Sequence, residues 1–149
     1  MSPTQDLTRQ LHENLWLVLS FAFGQPAVAK VVNDRFVGEF KYLWKTIDSI
    51  AEATANRALK DIGNQLRELD KRYPIPPTLS VGSVIQEDRK KTELYPRDLA
   101  NKIAHSLKFE WRLDPSQPSI VIHSDNLKRW QIAEVNLEAL MVFMSQLMH

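Results

Sequence analysis

A hydrophobic repeat in three- and four-residue steps runs through almost the whole first half of this chain and limits what it can fold into. Leu7, Leu11, Leu15, Val18 and Ala22 lie on one helical stripe, so Asp6 to Phe23 reads as an amphipathic helix that becomes wholly apolar towards its end. Gly24 and Pro26 are expected to close it. A second stripe starts near Asp34 and takes in Phe36, Phe40, Leu43, Ile47 and Ile50, then Ala58, Ile62, Leu66 and Leu69. Unbroken, it would make a rod of about 50 Å, too long for a compact domain of 149 residues. The expectation is therefore an interruption near Ala53 to Asn56 and two helices packed antiparallel. A projecting coiled-coil arm is the alternative.

The size fits a single domain over residues 1–149 with one core. The absence of cysteine excludes a disulfide framework and thiolate metal sites, and is in keeping with a reducing compartment. The apolar run Leu15 to Phe23 is shorter than the ~20 residues of a bilayer span. Asp6 and Glu13 stand ahead of it where a basic leader would be. These readings predict a soluble, cytoplasmic protein with no membrane association.

Three prolines between Tyr73 and Pro77 end the second pattern. From there to about residue 92, Pro, Ser, Gly and the charged run Glu87-Asp88-Arg89-Lys90-Lys91 read as a long surface loop. Pro96 and Asp98 suit the first turn of a new helix. Beyond it, Phe109, Trp111 and Leu113 alternate with polar residues, and Ser119-Ile120-Val121-Ile122 follows a turn-rich stretch, a β-hairpin signal. A last helix is expected from about Ile132 to Met148. The fold class so read is all-α: a four- to five-helix bundle with one small β-hairpin after the motif helix.

The run Asp98-Leu99-Ala100-Asn101-Lys102-Ile103-Ala104-His105-Ser106 is the best candidate for chemistry. Asn101 and His105 are four apart and share a helix face, and Arg97 extends that stripe by a turn. Leu99, Ile103 and Leu107 would face the core. The polar stripe is expected near the helix start, where free N–H groups favour an anion. An imidazole there can exchange a proton near neutral pH. Net charge is only +1, but Arg89 to Arg129 holds nine basic residues against five acidic ones, an excess of four around the motif. Lys102 and Arg97 are the candidate phosphate contacts.

The string Asn101-Lys102-Ile103-Ala104-His105 resembles the active-site signature of the HEPN ribonucleases, Arg-Asn-x-Ile-Ala-His. The resemblance covers some six residues, and Ala100 occupies the position of the motif arginine. It implies a HEPN-like bundle and metal-independent RNA cleavage in a toxin–antitoxin or antiphage setting. His105 would be acid or base, Asn101 its orienting partner, and an arginine at 100 the phosphate clamp; alanine there implies an inactive enzyme. It also implies a homodimer with two motifs facing each other, an RNA substrate, a cognate antitoxin protein as partner, and no cofactor or metal. Family members often carry a tyrosine two residues after the histidine; Leu107 stands there instead.

Two other readings compete: a non-catalytic adaptor of the same fold that binds RNA or a protein partner, and an unrelated helical module whose histidine is structural. His12, Glu13, His123 and His149 make no metal-ligand spacing. Trp16, Trp44, Trp111 and Trp130 read as core or interface residues. Phe109 and Trp111 have base stacking as their less favoured role.

Overall fold

The computed structural model describes residues 2–147; Met148 and His149, the expected end of the last helix and a terminal histidine, lie outside the described residues. The all-α bundle is not what the chain forms. Among the described residues, four helices pack with a five-stranded antiparallel sheet in an α+β fold. The elements are α1 (Pro3–Arg35), α2 (Phe40–Arg72), β1 (Gly82–Gln86), β2 (Lys91–Leu94), α3 (Pro96–Ala104), β3 (Ser106–Arg112), β4 (Ser119–Ser124), β5 (Trp130–Asn136) and α4 (Leu137–Ser145). The sheet order is β2-β1-β5-β4-β3.

Both long helices exceed the lengths expected for them. α1 opens on a capping box between Ser2 and Gln5 and runs through Gly24 and Pro26 to Arg35. Inside the helix, Pro26 removes one backbone donor but does not end it. Next to it, Gln25 Nε2 donates to Asp48 Oδ1 at 2.7 Å, tying α1 to α2. α2 has no break at Ala53 to Asn56; Ala55 is buried there within a continuous helix. The result is an antiparallel hairpin of two 33-residue helices, each about 50 Å long. The inner halves carry the core: Leu11, Leu15, Val18 and Ala22 meet Ala58, Leu59, Ile62 and Leu66. The outer halves project as an arm, as in the coiled-coil alternative.

Three strands lie where helix or loop was expected. The stretch 75–92 holds β1 and the start of β2, and its charged run forms the hairpin turn between them: Gln86 N–H donates to the Lys90 carbonyl at 2.9 Å, and Arg89 sits at φ 67°. Gly82 starts β1 because the Glu134 carbonyl oxygen of β5 passes so close that a Cβ would lie 1.8 Å from it. β5 takes up the start of the expected last helix. The switch falls at Asn136, whose side chain caps α4 by accepting from Ala139 N–H at 2.9 Å. The expected hairpin is present as β3 and β4, with Phe109 opposite Ile122 and Trp111 opposite Ile120, but as two strands of five.

One sheet face supplies Ile120, Ile122, Ala133, Val135, Val84 and Leu94 to the core shared with the helices. On the other face the register aligns Glu110, Val121, Glu134 and Ser83, and Arg112 bridges Glu110 and Glu134 at 3.3 and 3.8 Å. α3 lies against α2 so closely that a Cβ on Gly63 would meet Ile103 Cγ2 at 2.8 Å.

Candidate functional site

α3 forms where expected, with Pro96 in its first turn and Asp98 behind it. It then stops early. His105 is its C-cap, with φ −105° and ψ 29°, and its N–H donates to the Asn101 carbonyl at 3.1 Å. The site therefore stands at the carbonyl end of α3 and not at the amide end expected from the sequence; the helix dipole there favours cations, so an anion in this site has to be held by cationic side chains. Ser106 starts β3 directly, its hydroxyl donating to the Ile103 carbonyl at 2.8 Å.

This early stop lets a distant segment close on the motif. Asp125 N–H donates to the His105 carbonyl at 2.9 Å, docking the β4–β5 turn against the end of α3. The turn is held by its own bonds: Asn126 N–H donates to Ser124 Oγ at 3.0 Å, and Lys128 N–H to Asn126 Oδ1 at 3.1 Å. Between turn and helix lies a cavity of about 520 Å³ lined by Asn101, Lys102, His105, Asp125, Asn126, Arg129 and Trp130.

Within it, His105 Nδ1 stands 3.9 Å from Asp125 Oδ2, both side chains 46% exposed. This is an electrostatic pair, too long for a hydrogen bond. Lys102 Nζ lies 4.9 Å from the ring centroid of the buried Trp130, a cation–π contact. Burial holds the Lys102 ammonium below the usual lysine range, opposed by the charge of Asp98. With Arg129, the cavity presents two cationic side chains, one imidazole, one carboxylate and the amides of Asn101 and Asn126.

The predicted residues divide cleanly. Asn101, Lys102 and His105 come together. Arg97 does not join them: it sits a turn and more away, paired with Asp70 of α2 at 3.4 Å. Ala100 points the other way and is 5% exposed in the core. An arginine there would have to bury its guanidinium among apolar side chains, which is strongly unfavourable. Position 100 is thus a packing position and not a vacant clamp, so inactivity does not follow from its being alanine.

Asp125, Asn126 and Arg129 were missed by sequence reasoning. The signal available was the cluster Ser124-Asp125-Asn126, residues that favour turns, between two apolar segments.

The remaining candidates lie away from this cavity. Trp111 Nε1 donates to Asn56 Oδ1 at 2.6 Å, and its ring meets Phe21 edge-on at 5.0 Å, so it packs and is not offered to a base. His12 Nε2 lies 2.8 Å from the Met144 carbonyl. His123 Nε2 is buried 3.7 Å from Glu110 Oε1 on the outer sheet face, with no hydrogen-bond partner. Trp16 is outside the core at 70% exposed. No group of three or more His, Asp or Glu is placed to hold a metal among the described residues. No family model matches this chain, and neither does any curated protein or any solved structure.

Proposed function

We propose that the protein binds single-stranded RNA, seating one phosphodiester in the cavity between α3 and the β4–β5 turn. The observation that carries this reading is the convergence of Lys102 and Arg129 with the amides of Asn101 and Asn126 in one cavity of about 520 Å³, room enough for a nucleotide. The cations attract the phosphate, Arg129 with a fork that fits two of its oxygens. The two amides can each donate and accept, which suits the edge of an unpaired base. Both cations and the imidazole come from one copy of the chain.

A second reading, metal-independent RNA cleavage, is favoured by the pairing of His105 with Asp125. A neutral imidazole at the cavity mouth can take the proton of a ribose 2′-hydroxyl. Attack of that oxygen on the adjacent phosphorus forms the P–O2′ bond and breaks the P–O5′ bond. The products are a 2′,3′-cyclic phosphate and a 5′-hydroxyl end, the leaving oxygen being protonated in turn. Asp125 stabilises the imidazolium formed midway, and Lys102 and Arg129 offset the charge that builds on the phosphate.

The two readings separate in one set of experiments. Binding of a fluorescent single-stranded RNA should weaken steeply with salt, and Arg129→Ala should lower affinity by about tenfold at ~100 mM salt while flattening that dependence. Affinity indifferent to both salt and Arg129 contradicts RNA binding at this site. Cleavage in the presence of EDTA, lost in His105→Ala while binding is kept, supports the nuclease reading. Binding without cleavage leaves the protein an RNA-binding module.

A further inference from the structure

The arm formed by the outer halves of α1 and α2 takes no part in the shared cluster, which stops at Ala22 in α1 and begins at Ala58 in α2; Val32 and Ala55 are buried outside it. Past those points the helices remain apolar. Between Phe23 and Ile50, eight large apolar side chains are 45% to 75% exposed, among them Val31 (52%), Leu43 (57%), Ile47 (55%) and Ile50 (62%). Leu43, Ile47 and Ile50 follow a four-then-three spacing, the stripe by which helices pair.

We propose that this arm is a self-association surface on which two copies of the chain pair arm against arm about a twofold axis, forming an antiparallel four-helix bundle. The area is sufficient: at roughly 100 Å² of exposed surface apiece, eight such side chains offer on the order of 800 Å², the share each partner gives to a standard stable interface. Monomers rarely leave a patch of that size open.

Charge selects the occupant. Residues 23–54 carry Lys30, Arg35, Lys41 and Lys45 against Asp34, Glu39, Asp48 and Glu52. A segment of zero net charge meets its own copy without net repulsion. It has no excess of cations to draw it to nucleic acid or to an anionic membrane surface. α1 contains an 18-residue window with mean hydropathy 1.6, of which 28% is buried, long and apolar enough to cross a membrane by length and composition. Its companion stretch in α2, however, would take Lys45, Asp48 and Glu52 into hydrocarbon with it, at considerable cost.

Sedimentation velocity on the full chain tests the proposal. The expected species has twice the 17.2 kDa monomer mass at micromolar concentration. The double variant Leu43→Glu/Ile47→Glu, and separately Val31→Glu on the other helix, should weaken the dimer about 100-fold or more. Their circular dichroism should stay unchanged, because these side chains lie outside the core. A wild-type monomer at tens of micromolar overturns the proposal, as does a dimer that survives both variants. Flotation of the wild type with phosphatidylcholine–phosphatidylserine vesicles, lost in the same variants, would assign the arm to lipid and also overturn it.

Discussion

The same two helices build two regions of opposite character. In the base, the inner halves of α1 and α2 bury Leu11, Val18, Leu59 and Ile62 completely or almost so against the sheet. In the arm, side chains of the same kind at the same helical spacing stand open. Apolar periodicity therefore identifies a helix and its sticky face but does not say what covers that face. The cover depends on where the other elements lie: the β3–β4 hairpin meets the two helices at Phe21 and Asn56 through Trp111.

The sharpest way to break the base is at the β1–β5 contact. Gly82→Val would push a side chain into the Glu134 carbonyl and separate β1 from β5. The expected loss is at least about 3 kcal/mol, read as a collapse of the denaturation midpoint. Ala100→Arg comes next. It buries a cation in the core, with an expected loss of about 3 kcal/mol and no gain in RNA cleavage. A stable Ala100→Arg protein that cleaves RNA faster would return position 100 to the site.

A matched pair then sets base against arm directly. Ile62→Ala, at 0% exposed, should cost about 2–5 kcal/mol in urea denaturation. Ile47→Ala, at 55% exposed, should fall within about 0.5 kcal/mol in dilute protein where copies are apart. Equal costs would mean that the arm has a core of its own.

The smallest expected effect concerns Lys102. With its ammonium held below the usual lysine range, the charge is lost on raising the pH before an ordinary lysine would lose it. RNA affinity should accordingly begin to fall at a pH below that at which an ordinary lysine loses its charge. Lys102→Arg, which stays charged, should abolish that early fall. The sign for stability is the opposite. A lysine whose folded pKa is depressed disfavours folding while it is charged, so its contribution improves as pH rises through the folded value towards the unfolded one.

Parts of this molecule are readable from sequence and parts are not, for physical reasons. The start of α3, the β3–β4 hairpin and the inner stripe of α1 follow from local chemistry: a proline at a first turn, strict alternation, and steps of three and four. The long helices outran their predicted ends because Gly24 and Pro26 each weaken a helix without stopping one already held by a packed partner. β1 and β2 were hidden by the charged run, which is the turn of a hairpin rather than a loop. β5 was hidden by fusion with α4, since Ile132 and Val135 fit either period until Asn136 is recognised as a cap.

In the site, Asn101, Lys102 and His105 are neighbours on one short helix and were legible together. Asp125, Asn126 and Arg129 reach them through the pairing of β3 with β4, which sets Ser106 opposite Ser124, and through the bond from Asp125 N–H to the His105 carbonyl, contacts between residues about twenty positions apart. The position of Ala100 on the buried side of α3 likewise depends on which face α2 covers.

If the cavity at the end of α3 takes the RNA phosphate, the backbone amides around it must respond to RNA. Mapping the ¹H–¹⁵N chemical-shift changes as a short single-stranded RNA is titrated into the labelled full chain tests it most directly. The largest shifts should fall on Asn101, Lys102 and His105 and on residues 125 to 129, and in Arg129→Ala they should need about tenfold more RNA to saturate. Saturable shifts confined to the arm or to the outer sheet face around Glu110 and Glu134, or no shifts at any RNA concentration, would contradict it.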